Sequence, residues 1–224
     1  MSELVFPSSD ALAAAVVRHA EEAAKVAIAA RGRFTCALTG GSSATLVYPA
    51  LATARVDWPR VDFFYGDERC VPPDDPDSNH KAALAALGHT GARFHPIDGT
   101  RPPEAAALDY ERALPSLDVV HLGVGPDGHV CSLFPGHRLL SETRRRVAAV
   151  LDSPKPPARR VTLTLTALRE AGSLWFLVLG EAKRGVVRES LRSPGSPLPS
   201  ALAHRAATES LWFLDEPAAS LLAP

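Results

Sequence analysis

A mostly parallel β-sheet covered by helices on both faces is the α/β architecture this sequence predicts, in a single domain over residues 1–224. Three observations carry that expectation. Short apolar runs alternate with helical stripes along most of the chain, as in strand–crossover–strand units. The runs Phe34–Leu38, Val61–Tyr65, Val119–Val124 and Ser173–Leu179 are apolar nearly throughout, as strands buried on both faces are. Each is followed within two residues by a glycine and then by polar side chains. In an open parallel sheet such strand ends share one edge, and ligands bind there.

Residues 9–31 read as a helix capped by Ser9 or Asp10, with Leu12, Val16, Val17, Ala20, Ala24 and Ile28 as its apolar stripe and Gly32 as its stop. Phe34–Leu38 is taken as the first strand. It runs into Thr39-Gly40-Gly41-Ser42-Ser43 and a helix through Leu46, Val47 and Leu51. A glycine turn with hydroxyls at a helix start offers backbone N–H groups to an anion; the alternative is a tight turn with a serine cap. The spacing is not that of a P-loop. Val61–Tyr65 is the next strand, ending in Gly66-Asp67-Glu68-Arg69, either a solvated edge or a site. The loop 71–80 is rich in Pro and Asp and reads as a lid or rim before a helix over about 81–87.

Phe94–Ile97 reads as a short strand and Glu104–Leu114 as a helix. The run through Val119–Val124 then breaks at Gly125-Pro126-Asp127-Gly128, a pair of turn signals, and His129 follows. Residues 136–157 read as irregular, with Arg144-Arg145-Arg146 a solvated face. Arg159–Leu165 alternates in the β manner, and Ser173–Leu179 is a buried strand. Gly180–Lys183 opens a helix through Val186, Val187 and Leu191, with Lys183 in a first turn whose dipole disfavours a cation. A short helix over 198–206 and a strand at Leu211–Leu214 complete the chain.

The formal net charge is −1, which gives no basic surface for nucleic acid or an anionic membrane. No apolar run approaches the ~20 residues that span a bilayer, and no signal-peptide pattern opens the chain, so a cytoplasmic protein is expected. Cys36, Cys70 and Cys131 are odd in number and form no Cys-x-x-Cys pair, which fits a reducing compartment and offers no zinc knuckle. At the shared strand edge, Gly40, Gly41, Ser42, Arg69 and Lys183 suit an anionic group, while Asp127 and His129 suit proton transfer. Cys131 lies near His129 and Cys70 near Arg69 in sequence, so a thiol nucleophile has to be weighed, but it needs a base within reach.

Several of these segments together resemble the 6-phosphogluconolactonase family. They are Thr39-Gly-Gly-Ser42, Gly66-Asp-Glu-Arg69 with Val71-Pro72 and Ser78-Asn79, and the long segment from Gly123 through Asp127-Gly-His129 to Ser132-Leu-Phe-Pro135. Arg160-Val-Thr-Leu-Thr164 and Gly180-x-x-Lys183 extend the likeness over nearly the whole chain. The resemblance implies a Rossmann-like three-layer fold, hydrolysis of a phosphorylated sugar lactone in the oxidative pentose phosphate pathway, and no metal or cofactor. It also implies His129 as base with Asp127 beside it. Gly40, Gly41, Ser42, Asp67, Arg69, Arg160 and Lys183 would line the substrate pocket, the division of labour among the three cations being open. A monomer or weak homo-oligomer is expected. Glucosamine-6-phosphate deaminase shares the fold, but where it ends this segment in Phe-Asn-Glu-Pro the present chain has Phe134 in place of the acid. A sugar-phosphate sensor of a transcriptional regulator is a further alternative; with the first strand near residue 34 and no basic patch, a DNA-binding module is not expected.

Overall fold

The computed structural model describes residues 2–222. In chain order the elements are β1 (Ser2–Phe6), α1 (Ser9–Arg31), β2 (Phe34–Leu38), α2 (Gly41–Leu51), β3 (Val61–Tyr65), β4 (Asp67–Arg69), α3 (Asn79–Leu87) and β5 (Arg93–Phe94). There follow α4 (Pro103–Ala113), β6 (Val119–Gly123), β7 (Val147–Val150), β8 (Arg160–Leu163), α5 (Leu165–Glu170) and β9 (Ser173–Val178). The last are α6 (Arg184–Arg192), α7 (Pro199–Ala206), β10 (Ser210–Asp215) and α8 (Glu216–Ala219).

Seven strands form one parallel sheet in the order β1-β10-β9-β6-β2-β3-β5. The chain builds outward from β2 through β3 to β5, then returns to place β6 on the other side of β2 and builds outward again through β9 and β10. The β2–β6 boundary is therefore the point where the strand order reverses, and it opens a crevice at the carboxyl ends of those two strands. Helices α1, α2 and α3 pack in series; α5 and α6 pack on α7, with α8 against α6. The core runs the length of the sheet, with Leu38, Phe63, Leu122, Phe176, Phe213 and Trp212 each almost wholly buried. Burying one such side chain contributes about 1.5–3 kcal/mol.

A second, antiparallel sheet of β4, β8 and β7 stands beside the first. It grows directly out of β3: Gly66 donates its N–H to Leu38 O, while its carbonyl accepts from Leu163 N. This small sheet differs from the sequence expectation in three ways. Residues 67–69 form a strand of their own, residues 136–157 contain β7, and the alternating stretch near 160 stops at Leu163, where the Thr164 hydroxyl caps α5. The first strand is β1 at the sheet edge, not Phe34–Leu38, and β5 covers only Arg93–Phe94. Arg144–Arg146 is not simply a solvated face: Arg145 pairs with Glu111, and Arg146 donates to Leu114 O and Pro115 O, tying β7 to the end of α4.

Candidate active site

The crevice at the β2–β6 boundary is lined by the turns that follow β2, β3, β6 and β9. Gly40, Gly41, Ser42, Asp67, Arg69, His129, Arg160 and Lys183 all line it, and Asp127 bonds to the imidazole from behind. The sequence-predicted residues are thus brought together from positions more than 140 residues apart.

The turn after β2 is held by neighbours rather than by itself. Thr39 Oγ1 accepts from Gly123 N, Tyr48 Oη donates to Thr39 O and Ser43 Oγ donates to Leu177 O, so the ends of β2, β6 and β9 are cross-linked. Gly40 packs so tightly on Asn79 that a Cβ would fall 2.0 Å from its Oδ1. No side chain caps α2 at Gly40, which leaves the first N–H groups of the helix directed to the cleft entrance without a side-chain acceptor.

His129 is placed by the turn after β6. Gly125 N donates to His129 O and Gly128 N to Gly125 O, folding Pro126-Asp127 back over the ring. A Cβ on Gly125 would lie 1.9 Å from His129 Nδ1, so only glycine admits the ring there. Asp127 Oδ1 sits 2.5 Å from His129 Nδ1, and Phe134 packs on the imidazole at 4.8 Å between ring centroids. Since a carboxylate only accepts, this contact sets the Nδ1–H tautomer and leaves the Nε2 lone pair for chemistry. Burial pushes the imidazole below its ordinary value, and the Asp127 carboxylate only partly offsets that. The hydrogen bond from His129 holds Asp127 below the usual carboxylate range despite its partial burial.

The charged groups divide into committed and uncommitted ones. Arg160, at 5% exposure, gives Nε to Pro157 O at 2.9 Å and Nη2 to Lys155 O and Pro156 O at 3.0 Å, and lies 3.9 Å from Asp67. Asp67 also accepts from Ser132 Oγ at 2.6 Å and Asn79 Nδ2 at 3.2 Å. Glu68, buried behind the cleft, takes the backbone N–H groups of Arg69, Asn79 and His80 and the Ser78 hydroxyl. Arg69 is anchored through Nη1 to Asp77 O, and its buried Nε has no hydrogen-bond partner among the described residues. Lys183 is not in the first turn of a helix: it closes a 3₁₀ turn at the N-cap position of α6. Its ammonium makes no ion pair among the described residues, and burial followed by the nearby Lys155 charge pulls its pKa down.

Sequence reasoning missed Lys155, whose Nζ is 3.3 Å from both Asp127 Oδ1 and His129 Nδ1. The Pro-rich loop that carries it gave no sign beyond its composition. Cys131 does line the cleft, in a left-handed backbone conformation (φ 49°), but burial drives its thiol far up, which disfavours a thiolate. Among the described residues no three His, Cys, Asp or Glu side chains are grouped as a metal site.

A doubly wound parallel sheet with a histidine–carboxylate pair and uncommitted cations at its switch point defines an α/β enzyme acting on an anionic substrate. The chain belongs to the family of glucosamine-6-phosphate isomerases and 6-phosphogluconolactonases, whose pattern matches residues 7–212. It is 40% identical to a 6-phosphogluconolactonase of Mycobacterium leprae, over 96% of each chain. A rat 6-phosphogluconolactonase is also 40% identical, over 97% of this chain and 92% of its own. The solved structure of the Trypanosoma brucei 6-phosphogluconolactonase superposes with a TM-score of 0.87 at 28% identity, covering 99% of this chain and 98% of that one. A monomeric glucosamine-6-phosphate deaminase, at 21% identity and a TM-score of 0.84, shares the fold.

Proposed function

We propose that this protein hydrolyses 6-phospho-D-glucono-1,5-lactone to 6-phospho-D-gluconate, with His129 as the general base. The observation that carries the reading is the His129–Asp127 pair, its free nitrogen lining a cleft that also holds Lys183, Arg69 and the start of α2. Near-identical lengths and 40% identity to 6-phosphogluconolactonases support the substrate.

The chemistry follows from the geometry. A δ-lactone is an activated ester, and its hydrolysis changes no oxidation state. His129 Nε2 removes a proton from water as the oxygen attacks C1, and the carbonyl π electrons move onto the carbonyl oxygen. The N–H groups at the start of α2 hold that oxyanion. Collapse re-forms the carbonyl, breaks the C1–O5 bond and returns the proton from His129 to O5, opening the ring. Asp127 keeps the Nδ1 proton in place throughout and stabilises the transient imidazolium. Arg69 and Lys183 supply the positive field for the phosphate. Gly40, Gly41 and Ser42 supply N–H and hydroxyl donors, and Asp67 with Arg160 shapes the floor. No covalent nucleophile is required.

The whole of residues 1–224 acts as one unit on this reading. The three free cysteines favour a reducing, cytoplasmic setting. No described helix is long and apolar enough to cross a membrane. The test is an assay on both substrates of the family. The purified protein should hydrolyse the phosphorylated lactone well above its spontaneous rate and release no ammonia from glucosamine 6-phosphate. Catalytic ammonia release without accelerated lactone hydrolysis would overturn the assignment.

A further inference from the structure

We propose that Lys155 is a positioning residue for the hydrolytic step, a cation set behind His129 that keeps the imidazole neutral and ready to accept a proton. The inference rests on His129 being the base, and goes beyond it by assigning a role to a loop outside the strand-end motifs.

Three atoms make the argument. Asp127 Oδ1 and His129 Nδ1 are 2.5 Å apart, and Lys155 Nζ lies 3.3 Å from each. With the Nδ1 proton given to Asp127, Nδ1 has no lone pair for the ammonium. Lys155 therefore donates to the carboxylate, and its approach to the ring is that of one positive group to another. A neutral imidazole tolerates that neighbour, but an imidazolium is penalised. Burial opposes the charged ring, whereas Asp127 favours it. Lys155 cancels part of that pull while leaving the Asp127 bond that orients the ring.

The loop is built to hold the ammonium there. Ser153 Oγ bonds to Lys155 O, while Lys155 N returns to Ser153 Oγ, making a closed turn. Arg160 then fastens the next three carbonyls, Lys155, Pro156 and Pro157, through Nη2 and Nε. Most of the hydrogen-bonding capacity of a buried arginine is spent on the backbone of this one loop. Arg160 is in this sense a strut for Lys155, with Asp67 fixing its far side.

The other charges facing the ring come from separate elements. Asp67 on β4 favours the imidazolium; Lys183 before α6 shares the cleft with the ring and feels the Lys155 charge; the Arg160 guanidinium sits 5.8 Å over the Phe134 ring that packs on His129. Lys155 is the one cation within hydrogen-bond distance of Nδ1 among the described residues.

The test is the titration of the His129 imidazole, followed by NMR on the whole protein, in wild type, Lys155→Met and Lys155→Arg. The Lys155 side chain is 39% exposed, so removing its charge should leave the fold intact, which the amide spectrum checks. A unit charge at this distance is worth about one pKa unit even at the dielectric of water. Lys155→Met should raise the His129 pKa by about that much, and Lys155→Arg should restore most of the wild-type value. The acidic limb of kcat/KM for the phosphorylated lactone should move up in parallel. A His129 titration unchanged in folded Lys155→Met would overturn the proposal whatever happens to turnover. Because the imidazole titration is read without substrate, failure there is distinct from failure of the lactonase reading, which shows as absent turnover in the wild type.

Discussion

Lys183 and Arg69 are both cations at strand ends, yet their surroundings give them different freedom. Arg69 is braced on Asp77 O with its backbone N–H on Glu68, whereas the Lys183 ammonium makes no ion pair among the described residues and feels Asp127 only at longer range. An unpaired cation with a lowered pKa gains most from a dianionic ligand. Lys183→Ala is expected to cost tenfold or more in kcat/KM for the phosphorylated lactone, since a charge-assisted hydrogen bond contributes about 1.5–3 kcal/mol. The same change should cost little with unphosphorylated glucono-δ-lactone. Comparing the two substrates separates the roles: equal losses would put Lys183 at the lactone carbonyl instead of the phosphate. At this scale the sequence was informative wherever a residue followed a strand and a glycine, because topology alone carries such residues to one edge. It was silent on Lys155, whose contact with His129 depends on how an Arg160-anchored loop folds back over 26 residues.

The short elements around the cleft depend on Glu68, and here burial competes with hydrogen bonding. Removal from water raises the carboxyl pKa, and the N–H groups of Asn79, His80 and Arg69 work against that rise. The same carboxylate closes the start of α3 and the end of the 71–80 loop, with Ser78 Oγ capping Lys81 N. Glu68→Ala would leave three backbone donors and a hydroxyl unmatched beside the cleft. A stability loss of several kcal/mol is expected, since each buried unsatisfied group costs about 1–3 kcal/mol. Chemical denaturation should register it, together with a raised KM as Arg69 loses its anchor. A variant as stable as wild type would mean that water replaces the carboxylate there. Helices α1 to α4, α6 and α7 and the buried parallel strands were legible from periodicity and apolar runs, whereas α5 and α8 were not. The edge strand β1 and two of the three strands of the small sheet were not: β4 is three charged residues, and β7 is Val-Ala-Ala-Val, half of it alanine, paired with β8 across a loop of nine residues. Neither is a strand until its partner is present.

At the scale of the whole molecule, one of the ionisable groups buried in the core away from the cleft is an imidazole. His121 on β6 stacks between Tyr48 and Trp175 with its Nδ1 unpartnered among the described residues, and burial alone takes its pKa down to about 4. Between pH 6.5 and 4 the unfolded chain binds a proton that the folded chain refuses, so stability falls as pH falls through that window. A shift of this size amounts to about 3 kcal/mol when fully expressed. His121→Phe keeps the stacked ring and removes the titration, so its urea-unfolding free energy should decline less than that of wild type between pH 7 and pH 4.5. Parallel declines would place the acid sensitivity elsewhere. The general form of the sheet was legible because parallel strands advertise themselves as apolar runs; that β6 hides a histidine in such a run could be read, but not that its nitrogen has no partner.

On the proposed mechanism, turnover depends on His129. The most direct test is the initial rate of 6-phosphogluconolactone hydrolysis by wild type and His129→Ala near pH 7, with spontaneous hydrolysis subtracted. A positioned general base contributes about 10²–10⁴-fold, so kcat of the variant should fall by that factor while its fold, judged by thermal unfolding, is retained. A folded His129→Ala protein turning over within a few-fold of wild type would contradict the central claim.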